Sequence, residues 1–92
     1  MDLRQSFVRD QQQQREIRMY GCTEAELRES IEDSITFKFS GPVMVAMSLM
    51  SDAQEIVSYG PYDGDRLANI MDTQRQMLNQ AKWILATYCM KD

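Results

Sequence analysis

The side chains best placed for chemistry in this 92-residue chain are acidic. Glu29 and Glu32 stand three apart, as do Asp52 and Glu55, and Asp72 follows further on. Carboxylates at i and i+3 share one face of a helix, and two such faces brought together can hold Mg²⁺. Asp and Glu are mostly hydrated in folded proteins, so a solvated acidic face is the commoner state of such pairs. The chain has no histidine, which removes His-based triads, His-rich zinc sites and the usual general base at neutral pH. Cys22 and Cys89 form no CxxC pair and are too few for a structural zinc site. Cys22 stands just ahead of a helix start, where a thiol pKa can fall, but no His or Lys accompanies it as an activating partner. The phosphate-cradling patterns GxxxxGK[ST] and GxGxxG do not occur.

The ExxE pair Glu29/Glu32 with the DxxE pair Asp52/Glu55 resembles the acidic pairs of all-α nucleotide pyrophosphatases of the MazG type. That resemblance implies a Mg²⁺-dependent nucleotide hydrolase with these four residues as metal ligands. The second pair is reversed in type relative to that family's ExxD, and the further acid expected beside the first is not in place.

The elements that must position these residues are helical. Residues 1–20 hold apolar residues early (Leu3, Phe7, Val8) and late (Ile17, Met19, Tyr20), separated by Gln11–Arg15, which offers no face to bury. Gln and Arg favour a helix without saying what it packs on, so a partly ordered arm is expected there. Gly21 suits the left-handed position that ends a helix. Thr23-Glu-Ala-Glu26 matches a capping box, and Leu27, Ile31 and Ile35 follow at one-turn spacing, so a second helix is expected to end near Ile35. Ile35–Phe39 is β-prone and reads as a short extended link whose two Phe rings dock on the remainder.

Ser40-Gly41-Pro42 punctuates the chain and places Pro at a first helical turn. From there Val43, Met47, Met50, Gln54 and Val57 repeat with 4-3 spacing, flanked by Ala46, Leu49, Ala53 and Ile56. The segment Tyr59–Asp65 stops that helix. Leu67, Met71, Gln74, Leu78, Ala81, Leu85 and Tyr88 then hold the same 4-3 alternation, with Ile70, Met77 and Ile84 as a flanking row. The expectation is an all-α fold: an antiparallel helical hairpin, about 42–59 and 65–89, completed by one or two N-terminal helices or by oligomerisation. Residues 1–92 are expected to form a single helical domain, with 1–20 as a flexible or partner-bridging N-terminal arm.

Pairing the 4-3 stripes sets Gln54 near Met71 and Met50 near Gln74, which puts two amides inside an apolar seam. Such groups need partners; they fix register, or they read a small ligand. If Leu78 lies in that seam, Leu78→Ala costs roughly 2–4 kcal/mol. Trp83 falls on the margin of the last helix and is expected as an exposed contact, since Trp anchors interfaces. Eight methionines, among them Met47, Met50 and Met71, suit an adaptable apolar surface at an interface.

Net charge is −4, unevenly spread. Residues 1–20 carry four arginines against three acids, and the rest carries six basic and eleven acidic side chains. A negative body argues against general nucleic-acid binding. No run approaches the length of a membrane span. The absence of a secretory signal, with two unpaired cysteines, points to the cytoplasm and free thiols. The segments Ser51-Asp-Ala-Gln-Glu55 and Arg75-Gln-Met-Leu-Asn-Gln-Ala-Lys82 resemble small helical proteins of marine bacteriophages and cyanobacteria, a resemblance that brings no function with it. The expected role is a non-enzymatic, homo-oligomeric protein-interaction or regulatory module without a cofactor, acting on itself and on another protein. The alternative is a binding protein for a small molecule such as a signalling nucleotide, through Gln54 and Gln74.

Overall fold

A computed structural model describes residues 3–58, 60 and 62–90, with side chains from residue 8 onward. The side chains of Leu3 and Phe7, and the turn residues Tyr59 and Pro61 altogether, lie outside the described residues. The fold is all-α: α1 (Leu3–Tyr20), α2 (Glu24–Asp33), α3 (Ile35–Ser40), α4 (Pro42–Val57) and α5 (Gly64–Ile84), the last continuing into one π-helical turn, Leu85–Cys89. No strand occurs among the described residues.

Local chemistry accounts for the boundaries. Gly21 takes φ +80° after α1, a conformation costly for any side chain. Thr23 closes a complete capping box: its hydroxyl accepts from the Glu26 amide at 3.2 Å, and the Glu26 carboxylate accepts from the Thr23 amide at 3.2 Å. Ser34 caps α3 by accepting from the Phe37 amide at 3.1 Å. That cap explains why Ile35–Phe39, expected as an extended link, is helical: a satisfied N-terminus outweighs the weak β-preference of Ile, Thr and Phe. Phe37 docks edge-on against Tyr88, ring centroids 5.3 Å apart, whereas Phe39 and Ile35 stay exposed, at 86% and 73%. Gly41 at φ +84° turns the chain into Pro42 at the start of α4. Asp63 caps α5 through the Arg66 amide at 3.0 Å.

The core is small. Tyr20, Leu27, Ile31, Ala46, Ala81 and Ile84 form one buried cluster, with Phe37, Leu49, Trp83 and Tyr88 packed on its edge. Helices α4 and α5 supply the most extensive packing in the chain. Ala53 lies beside Gln74, and Ala46 shares the core with Ala81 and Ile84, so later residues of α5 meet earlier residues of α4. The surfaces that meet are the flanking rows of small and branched residues. Ala46, Ala53 and Ile84 are completely buried, and Leu49, Ile56, Ile70 and Met77 are half-buried.

Helix α1 is fastened at its C-terminal end. Asn79 Nδ2 donates to the Met19 carbonyl at 3.0 Å, and Gln80 Nε2 to the Tyr20 carbonyl at 2.6 Å. These side chains satisfy carbonyls that the end of a helix leaves unpartnered. From Val8 to Met19 nearly every residue is exposed. The radius of gyration, 15.5 Å, exceeds the roughly 12 Å of a compact chain of this length, as a projecting helix requires. No helix among the described residues is long and apolar enough to cross a membrane.

Candidate functional site

The 4-3 stripes close the seam only in part: Ala81 of α5 is buried and Gln74, Leu85 and Tyr88 are half-buried, whereas the α4 members and Leu67, Met71 and Leu78 lie on the outside. Val43, Met47, Met50 and Val57 on α4, with Leu67, Met71 and Leu78 on α5, are between 38% and 57% exposed. The physical reason is the size of the competing row. Each helix carries two apolar rows about 100° apart, and on α4 the flanking row with Ala46 and Ala53 lets the backbones approach most closely. Val57, Leu67, Met47 and Leu78, expected in the seam as members of the stripes, are surface residues. Leu78 is 40% exposed, so the 2–4 kcal/mol expected for Leu78→Ala does not apply to it.

Both stripes face the same side, because antiparallel helices whose second rows are displaced in the same rotational sense present them together. Along α5 runs a groove of about 730 Å³, to which α4 contributes Met50. Its floor is Met50, Met71, Leu78, Ala81 and Leu85; Asp72, Arg75 and Lys82 stand along the α5 wall. Asp72 and Arg75 join in an ion pair at 3.1 Å, too exposed to add much stability.

Gln74, expected as a buried polar position, is half-buried in this groove, and its Nε2 donates to the Ala53 carbonyl at 3.1 Å. It ties α5 to α4. Gln54, expected beside it in the seam, is exposed and does not line the groove. The two amides are not one site. Met47, Met50 and Met71 are all on the exposed stripe, and Met50 and Met71 form part of the groove.

Trp83, expected as an exposed contact, is half-buried. Its ring meets Tyr88 edge-on at 5.9 Å, and the Arg28 guanidinium lies 5.4 Å from its centroid. Tyr88 also donates to Glu32 Oε1 at 3.1 Å. Burial, then the hydrogen bond and charge of Glu32, push the Tyr88 hydroxyl pKa up, against a lowering by Arg28. This cluster fastens α2 to the end of α5.

The acidic pairs do not assemble. Glu29, Glu32, Asp52 and Glu55 are all exposed, and among the described residues no three carboxylates or cysteines gather closely enough to hold a metal ion. The Mg²⁺ site implied by the pyrophosphatase resemblance is therefore not formed by these residues. Cys22, at a position that can lower a thiol pKa, is instead raised, first by burial and then by Glu26. A raised thiol is a poor nucleophile at neutral pH.

Asn79 and Gln80 were legible in the sequence only as the polar side of α5; nothing local signals that they grip carbonyls some 60 positions away. The chain matches no protein-family model, no curated protein and no solved structure.

Proposed function

We propose that this chain is a homo-oligomeric protein-interaction module whose working surface is the exposed stripe of α4 and α5. One observation carries the reading: seven Val, Leu and Met side chains of the α4 and α5 stripes are left between 38% and 57% exposed. Small monomers seldom leave so much apolar surface together, and a rimmed patch of this kind is the usual mark of a protein-contact site. Methionine supports the same reading, because its flexible thioether fits a partner without a fixed shape. The test is solution mass by light scattering across protein concentration. Self-association is expected, with Met71→Glu reducing it while helical content holds. A wild-type chain that stays monomeric up to high concentration would remove the reading.

A second reading has one observation in its favour: the groove combines an apolar floor with Gln74, Arg75 and Lys82, the mixture typical of small-molecule sites. A signalling nucleotide is the ligand class that such a cationic wall suits. Stabilisation by one nucleotide class in a thermal-shift series would single it out. A cytoplasmic setting, and kinship with small phage and cyanobacterial helical proteins, belong to the same proposal and rest on the sequence alone.

A further inference from the structure

We infer that the groove along α5 binds a free medium-chain fatty acid, its tail on the methionine and leucine floor and its carboxylate at Lys82. This goes beyond the interaction-module reading and does not depend on it.

Size and shape narrow the class of ligand first. A volume of about 730 Å³ falls among small-molecule sites, which span roughly 300–1,000 Å³. The floor runs lengthwise: Met71, Leu78, Ala81 and Leu85 follow one another along α5, and Met50 joins them from α4. At about 1.5 Å of rise per residue, Lys82 stands about 16 Å along the axis from Met71, the reach of an extended tail of about a dozen carbons. The flexible thioethers of Met50 and Met71 can mould to such a tail. No aromatic ring is among the described residues that line the groove, so a nucleobase finds no π-face to stack on.

Charge then selects the head. Asp72 and Arg75 on the groove wall are engaged with each other at 3.1 Å. Lys82 has no hydrogen bond or ion pair with any described residue, which leaves its ammonium for an incoming anion. One ammonium matches one carboxylate, whereas the several charges of a nucleotide's phosphates call for more donors. A cationic amphiphile would meet Lys82 as a like charge. The tail would cover Met50, Met71 and Leu78, the same side chains that self-association uses, so ligand and second copy exclude one another.

The experiment titrates dodecanoate into dilute protein by calorimetry, with dodecyltrimethylammonium as a cation of equal tail and both kept below micelle formation. Saturable binding of dodecanoate is expected, about fivefold or more tighter than the cation, and Lys82→Glu is expected to reverse that order. Lys82 is exposed, so the variant should keep the fold, which circular dichroism checks. Methyl NMR of the methionines locates the tail. The Met50 and Met71 signals are expected to shift, and those of Met44 and Met90, exposed away from the groove lining, to stay. Absence of saturable binding, equal affinity for both heads, or shifts confined to Met44 and Met90 overturns the proposal. Binding to phosphatidylglycerol vesicles without binding of free dodecanoate overturns it as well. Light scattering without ligand keeps the two readings apart. A chain that is monomeric at every concentration yet binds dodecanoate removes the interaction-module reading alone; one that self-associates and ignores dodecanoate removes this proposal alone.

Discussion

Truncating Ile84 and Leu78 to alanine separates the buried row from the exposed stripe, since both changes remove the same three carbons from α5. Ile84 is completely buried, and Leu78 is 40% exposed. For Ile84→Ala, the lost transfer free energy is about 2.5 kcal/mol at roughly 0.8 kcal/mol per buried methylene. A residual void of about 50 Å³ adds about 1 kcal/mol at ~24 cal/mol per Å³, for a total near 3.5 kcal/mol. Leu78→Ala forfeits about three-fifths of the transfer contribution and leaves no enclosed void, so its cost is about 1–1.5 kcal/mol. The assay is urea unfolding followed by circular dichroism, at protein dilute enough that self-association does not contribute. A domain of this size holds about 5–14 kcal/mol in all, so Ile84→Val, at about 0.5–1.5 kcal/mol, serves where the alanine variant fails to fold. Equal losses for the two alanine variants would refute the assignment of the rows and put the 4-3 stripe inside the fold. A loss below about 1.5 kcal/mol for Ile84→Ala would refute its place in the core.

Thr23→Ala removes the hydroxyl that accepts from the Glu26 amide and should cost about 1 kcal/mol, visible as a lower urea midpoint. Replacing Asn79 and Gln80 together by alanine unfastens α1, so hydrogen exchange should speed up over residues 8–20 while α4 and α5 stay protected; uniform loss of protection would mean that α1 is integral to the core. The Tyr20 hydroxyl pKa is raised above 10, first by burial and then by Glu24 and Glu16. A raised folded-state value means that the native state holds its proton longer than the unfolded chain. Stability is therefore intact below pH 10 and falls as pH rises through the folded-state value. Tyr20→Phe should reduce that alkaline decline, and an unchanged pH profile would assign the decline to other groups.

What could be read from the sequence divides by range. The Thr23–Glu26 capping box, the Gly41-Pro42 start of α4 and the helical nature of both long segments depend on residues within a turn of one another, so each was legible. The facing of α4 and α5 was not. Both carry two apolar rows, and a 4-3 count favours the row with the larger side chains. Close packing favours the α4 row with Ala46 and Ala53, met on α5 by Ala81 of the stripe and Ile84 of the flanking row, because small side chains let two helices approach. Ile35–Phe39 misled through propensity, which Ser34 overrides as a cap. The expectation of the Phe rings docking held for Phe37 and failed for Phe39, whose orientation a helix reverses relative to a strand. Trp83 looked marginal because the residues that enclose it, Arg28 and Tyr88, include one 55 positions away, and no spacing rule reaches that far. The acidic pairs were recognisable as pairs; their separation in space was a tertiary fact.

The division of labour between the two rows bears on how such a chain can drift. The contact between α4 and α5 is made by the buried Ala46, Ala53, Ala81 and Ile84, where a larger side chain costs packing strain. The stripe is made of methionine, valine and leucine in open surroundings, where exchanges among apolar residues leave the fold untouched. Variation should therefore accumulate unequally around the circumference of each helix. One row is held nearly fixed by steric exclusion, while the row some 100° away is free to be rewritten. A lineage could in this way exchange one binding partner for another through single substitutions, none of which passes through an unfolded intermediate sequence.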